Sequence, residues 1–265
     1  LAREFDLGGI ILFGRNVEAP EQVAELAYEA KSLSRDLPVW VSVDQEGGRV
    51  ARLRAPFTEW PPMQTLGRSR DVTLAARFAR ALATELRAVG ITLDYAPVLD
   101  VNSNARNPVI GDRALSERAD EVAQMGAAVI DALQECGIAS CGKHFPGHGD
   151  TSTDSHHELP VVEHPPERLR EVEIAPFRAA ITAQVAAVMT AHVLYPALDA
   201  EAPATLSPAI VTDLLREELG FQGLIATDDM DMAAITATHT VPVATVQAVR
   251  AGCDMALLCG IDTGR

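Results

Sequence analysis

A chain of 265 residues with 37 acidic and 22 basic side chains carries a net charge of −15. That sign repels polyanions and argues against nucleic acid as a partner. A hydrophobic content of 48% supports a sizeable core in one large domain or two small ones, and no apolar run approaches the roughly 18–20 residues of a membrane helix.

Apolar runs without alternation predict strands at 9–13, 39–43, 91–99, 138–141, 186–191, 223–226 and 254–258. Amphipathic helices lie between them. Leu74, Phe78, Leu82, Leu86 and Val89 mark one apolar face, and Val122, Met125, Val129, Leu133 and Cys136 another. One junction recurs: "ELRAVG-ITLDYAPV", "LQECG-IASCGKHF", "REELG-FQGLIATDD" and "AVRAG-CDMALLC". In each, a helix ends at a glycine (Gly90, Gly137, Gly220, Gly252) placed to take a left-handed conformation, and a strand follows.

Strands alternating with helices predict a parallel sheet covered by helices. The expected architecture is α/β, a (β/α)8 barrel forming one domain over residues 1–265, with its eighth strand falling beyond Arg265. The runner-up is an open doubly wound sheet, weakened because no G-x-G-x-x-G follows an early strand. Cys136, Cys141, Cys253 and Cys259 read as core residues; Cys136 and Cys141 form no C-x-x-C pair, which argues against a redox or zinc role. No signal peptide is visible, so a cytoplasmic location is expected.

Six predicted strands run into polar groups: Arg15, Asp44, Asp100, Lys143 with His144, His192, and Asp228 with Asp229. In a barrel those ends converge on the face that carries active sites. Carboxylates, arginines and a lysine together suit a polyhydroxylated substrate, since carboxylates accept from hydroxyls and cations donate to them. Asp228 sits where a carboxylate can be held rigidly as a nucleophile, and pleating should turn Asp229 to the opposite side.

The segment "KHFPGHGDTSTDSHHELP", residues 143–160, holds four of the seven histidines and few apolar groups. It reads as a long loop outside the core, a place for proton transfer. In an extended segment Asp154 and His156 would share one side, where a carboxylate fixes the tautomer of an imidazole and raises its basicity. A metal set drawn from His144, His148, His156, His157, Asp150 and Asp154 matches neither H-E-x-x-H nor a zinc-finger spacing. No metal and no organic cofactor are expected.

The motifs "GGIILFGRN", "VDQEGGRVARL", "APVLDVN", "GDRALS", "KHFPGHGDTSTDSHHELP", "MTAHV" and "TDDMDM" span nearly the whole chain. In them the chain resembles the β-N-acetylglucosaminidase (β-hexosaminidase) branch of family 3 glycoside hydrolases. The resemblance implies a (β/α)8-type barrel and a retaining, cofactor-free hydrolase. Its substrate would be a terminal β-linked N-acetylglucosamine of peptidoglycan fragments in bacterial recycling. It implies Asp228 as nucleophile, His156 as acid/base assisted by Asp154, and Asp44, Arg52, Arg113, Lys143 and His144 as sugar-binding groups. His148 and His157 match the motif without an implied role. Family members are longer at both ends.

Four rivals remain open at this point: a phosphorylase of the same glycosides, a β-glucosidase of the wider family, a metal-dependent barrel hydrolase, and a non-catalytic sugar-binding barrel. The expected partner is a small carbohydrate, with no nucleic acid and no membrane span; the sequence does not specify an oligomeric state.

Overall fold

A computed structural model describes residues 7–33 and 38–260. Among the described residues, seven strands form the main sheet: β1 (Gly9–Leu12), β2 (Trp40–Val43), β3 (Leu93–Asp94), β4 (Ala139–Phe145), β5 (Ala187–Thr190), β6 (Leu224–Asp229) and β7 (Met255–Leu257), with a separate short antiparallel pair at Gln45–Gly47 and Val50–Ala51. Each strand of the main sheet pairs in parallel with the next in chain order. A doubly wound sheet reverses its strand order at a switch point. This sheet does not, so the open alternative is excluded.

The main helices are α1 (Pro20–Ser32), α2 (Val72–Ala88), α3 (Ala119–Glu135), α4 (Ala175–Thr182), α5 (Ala209–Glu218) and α6 (Val241–Ala251). Asp71 caps α2, its carboxylate accepting from the Leu74 N–H at 3.0 Å. The four helix-end glycines have φ of +79°, +82°, +71° and +114°, the left-handed form their positions predict. None of the described helices is long and apolar enough to cross a membrane.

The pleat explains why the strands read as continuous apolar runs. Leu93, Tyr95, Cys141, Ala187, Met189, Ala226 and Leu257 form an interior cluster, with Ile11 and Met255 packed against it. Their strand neighbours Val41, Val43, Val188 and Ile225 point the other way, into the helices. Both faces are buried, so alternation disappears. First and last strands share one interior, which requires the sheet to curl.

The closed barrel is met only in part. Among the described residues no ladder joins β1 to β7, and the Arg15 guanidinium crosses that seam to donate to the Cys259 carbonyl at 3.2 Å. The eighth strand expected from the sequence lies outside the described residues. Two strand boundaries also differ from expectation. Pro97 has no N–H to offer a ladder, and the predicted strand at 91–99 shrinks to Leu93–Asp94. The predicted strand at 138–141 instead runs on through Phe145, so Lys143 and His144 lie within β4. Leu74, expected on the buried face of α2, is exposed in its first turn. Cys141 and Cys253 are buried, Cys136 and Cys259 only partly, and all four are free.

Connections at the strand N-terminal ends are short, as at 136–138 and 252–254, whereas those at the C-terminal ends are long. The long segments 95–118, 146–165 and 191–208 therefore crowd one end of the sheet. That is where the polar strand-end residues emerge.

Candidate active site

A cavity of about 220 Å³ opens at this end. Its wall includes Asp44, Arg52, Arg113, Lys143, His144, Asp154, His156 and Asp228, which is every candidate site residue named from the sequence.

Buried charge pairs brace the strand side. Asp44, just past β2, accepts from Lys143 Nζ at 2.7 Å and from Arg52 Nη2 at 3.2 Å. Lys143 also meets Glu46 Oε1 at 2.7 Å, and Glu46 takes a two-pronged bond from Arg113 at 2.8 and 2.9 Å. Burial alone would push the Glu46 carboxyl up, but Arg113 and Lys143 together hold it far below the usual carboxylate range. Burial likewise works against the Lys143 ammonium, and Asp44 and Glu46 outweigh it, so its pKa lies above normal.

Asp100 orders the next layer. One oxygen takes the His144 Nδ1 at 2.7 Å; the other accepts the backbone N–H of His144 at 3.2 Å and of His148 at 2.6 Å. With Nδ1 committed to Asp100, the far edge of the His144 ring is left to the cavity. Asp228, at the end of β6, accepts from the Asp229 N–H at 2.8 Å. Its burial favours the neutral acid, yet His144 and the surrounding donors leave its pKa below the ordinary value, so the carboxylate is ionised near neutral pH.

Asp229 departs from the expected arrangement, since it too touches the cavity. Its Oδ1 is engaged by the N–H groups of Asp231 and Cys259, both at 3.1 Å, and burial raises its pKa. Three other strand-end residues do not reach the cavity. Arg15 stacks on the Phe13 ring at 4.5 Å. His192 is buried between Thr205 and the Asp229 carbonyl, at 2.8 and 3.0 Å. Asp100 stands behind His144.

The segment 143–160 is only partly the exposed loop its composition suggests. Lys143, His144, His148, Thr151 and Ser155 are all buried. Their polar groups are paired inside the segment or with Asp44, Glu46 and Asp100, which is how a stretch poor in apolar residues can be buried. Gly149 has a steric reason: a Cβ there would lie 1.8 Å from the Val101 carbonyl oxygen. Asp154 and His156 do meet, but through a turn rather than an extended segment. Asp154 Oδ1 accepts both the His156 N–H at 2.8 Å and its Nδ1 at 2.7 Å, and the chain turns back with the His157 N–H on the Asp154 carbonyl. Among the described residues no group of three or more His, Cys, Asp or Glu is arranged to hold a metal ion.

Glu46 and Ser155 were not singled out from the sequence, and Asp100 was named only as a strand-end group without a role. Glu46 sits inside "VDQEGGRVARL" and Asp100 ends a predicted strand, so both had a signal. Ser155 had none.

Residues 2–264 match the model of the glycosyl hydrolase family 3 N terminal domain. The chain belongs to glycosyl hydrolase family 3, on its β-hexosaminidase branch. A "Beta-hexosaminidase" of Nitrosomonas eutropha is 40% identical over 259 residues, covering 96% of this chain and 74% of that protein. Among solved structures, a family 3 beta-N-acetylglucosaminidase from Paenibacillus sp. is 46% identical with a TM-score of 0.95. That match covers 97% of this chain and 50% of that one, so the chain spans half the length of this relative. Native NagZ from Neisseria gonorrhoeae is 39% identical with a TM-score of 0.89, over 96% of this chain and 74% of that one.

Proposed function

We propose that this chain is a retaining exo-β-N-acetylglucosaminidase that releases terminal β-linked N-acetylglucosamine, with peptidoglycan fragments as its natural substrates. Its seven strands are read as part of a single (β/α)8-type barrel domain. The observation that carries the reading is that Asp228 and the His156–Asp154 pair line one cavity. That cavity, at about 220 Å³, lies below the roughly 300–1,000 Å³ of pockets that enclose drug-sized ligands. It suits one terminal sugar rather than the interior of a polymer.

In this mechanism an Asp228 oxygen attacks the anomeric carbon as the bond to the leaving oxygen breaks. The imidazolium of His156 gives its Nε2 proton to that oxygen. Asp154, on Nδ1, fixes the tautomer that leaves Nε2 for the transfer. Water then gives a proton to the neutral Nε2 and attacks the anomeric carbon, and Asp228 departs as carboxylate. Asp44, Arg52, Arg113, Lys143 and His144 hold the sugar hydroxyls. Among these, Lys143 and Arg113 are fixed by Glu46 and His144 by Asp100, so the donors are set before substrate arrives.

Release of nitrophenol from p-nitrophenyl N-acetyl-β-glucosaminide, compared with the matching glucoside, tests the reading. Preference for the N-acetyl substrate is expected, with free N-acetylglucosamine of retained configuration as first product. No turnover, or an inverted product, refutes it. Adding phosphate shows whether water or phosphate is the better acceptor, since a glycosyl phosphate would then appear.

A further inference from the structure

Ser155 lies between the two residues of the proton-transfer pair and lines the same cavity, yet it is far more deeply buried than His156. Its residue is 2% exposed, whereas the His156 side chain is 61% exposed. The Ser155 hydroxyl meets Nε2 of His148 at 3.0 Å, and its carbonyl accepts the N–H of Ala234 at 3.2 Å. Ala234 belongs to the short helix Ala233–Thr236 that follows the Asp228 strand.

One assignment of protons satisfies the whole network. With the Thr151 hydroxyl proton on the His148 carbonyl at 3.1 Å, Thr151 Oγ1 accepts from His148 Nδ1 at 2.8 Å. His148 Nε2 is then the acceptor, and the Ser155 hydroxyl donates to it. His148 is itself held. Its N–H is on Asp100, and its carbonyl accepts from Asn107 Nδ2 at 2.8 Å. Asp100 is the same carboxylate that orients His144. One chain of hydrogen bonds thus runs from the sugar-facing His144 through Asp100 and His148 to Ser155, one residue short of His156.

We infer that Ser155 is a positioning residue: anchored on His148 and Ala234, it latches the loop tip so that Asp154 and His156 face the cavity and Asp228. The inference rests on the reading of His156 as acid/base. Ser155 makes no hydrogen bond to the sugar-binding groups, so loss of its hydroxyl would leave them in place. It would loosen only the group that must meet the leaving oxygen, and small misplacement of a proton donor is costly.

The test is Ser155→Ala beside wild type and His156→Ala. Steady-state rates on an alkoxide-leaving N-acetylglucosaminide and pre-steady-state glycosylation by the dinitrophenyl glycoside are measured, with inhibition by N-acetylglucosamine and amide deuterium exchange over 150–158. The alkoxide substrate should lose roughly 10-fold in kcat, short of the full cost of removing the acid. Glycosylation by the dinitrophenyl glycoside should change less than about 2-fold, the inhibition constant should hold, and exchange should quicken across the loop. An equal loss on both substrates, no loss at all, or unchanged exchange overturns the latch. If His156→Ala shows no dependence on leaving group, the acid/base assignment fails instead, and the exchange result still decides whether Ser155 holds the loop.

Discussion

On the strand side of the cavity, Lys143 is 2% exposed and its ammonium touches two carboxylates; on the loop side, the His156 ring is 61% exposed and touches one. The difference follows from what each side must do. A nucleophile and its sugar contacts gain from fixed geometry, and burial among paired charges supplies it. A group that gives up a proton and takes one back must reach the leaving oxygen and then water. The strand side should therefore fail by losing structure or the covalent step, and the loop side by losing proton transfer alone.

The largest effect is expected at Asp228. Asp228→Ala should reduce turnover on the order of 10⁴-fold or more, the scale seen when a nucleophile is removed, while the thermal transition stays in place. A 2-fluoro glycosyl probe should label wild type at Asp228, read by peptide mass. Label on Asp229 would move the nucleophile one residue along and break the contrast between the two carboxylates.

Lys143→Met comes next, and it acts on folding. It strips the cation from buried Glu46 and half-buried Asp44, and breaking a buried pair from one side costs about 3–5 kcal/mol. In a chain of this size that is a fall in Tm of roughly 10 °C. His156→Ala, at an exposed site, should leave Tm almost unchanged while slowing alkoxide-leaving substrates roughly 100-fold. With a dinitrophenyl leaving group, glycosylation should survive, and the second step should stall with a burst. Equal falls in Tm for the two variants would erase the distinction between rigid wall and working loop. Asp154→Asn should repeat the His156→Ala pattern more mildly, roughly 10-fold on the alkoxide substrate, because the imidazole stays and loses only its partner.

The two sides also differed in how far they could be read from sequence. Asp44 and Asp228 stand just where apolar strands end, and strand ends are visible as a change from apolar to polar residues. Asp154 and His156 were legible because their pairing is local, two residues apart. The pairing of Glu46 was not, since its partner Arg113 lies 67 residues away and only the fold joins them. The burial of His148, Thr151 and Ser155 was missed for a related reason. Apolar content signals burial by hydrophobicity, whereas this segment is buried by mutual hydrogen bonding, which depends on loop geometry that no periodicity encodes. The strand order was legible from the repeated helix–glycine–strand junction. Closure of the sheet was expected from the same pattern, and among the described residues no ladder joins β1 to β7.

The smallest net effect is expected in the wild-type response of stability to mild acid, because buried groups pull against each other there, His148 and His192 one way and Asp94 the other. His148 is held down to about 4 from 6.5 by burial and by His144 beside it. The unfolded chain thus binds a proton between those pH values that the folded chain refuses, and stability is lost as pH falls from 6.5 towards 4. Asp94 does the reverse. Burial raises it to about 7 from 3.8, against the opposing Gln45 N–H and Lys143. The folded chain keeps a proton the unfolded chain releases, so stability is present below 3.8 and is lost as pH rises through 7. The His148 and Asp94 contributions are each on the order of 3 kcal/mol, and across pH 4–6.5 they largely cancel. Substitution should expose them separately in Tm measured against pH. Asp94→Asn leaves His148 and His192 unopposed, so that variant should lose stability faster than wild type on acidification. His148→Gln leaves Asp94 opposed by His192 alone, so its curve should tilt the other way, whatever constant offset the lost Ser155 bond adds. Parallel curves for the two variants would mean that neither group is held off its ordinary titration, and that the strand side is wetter than its burial implies.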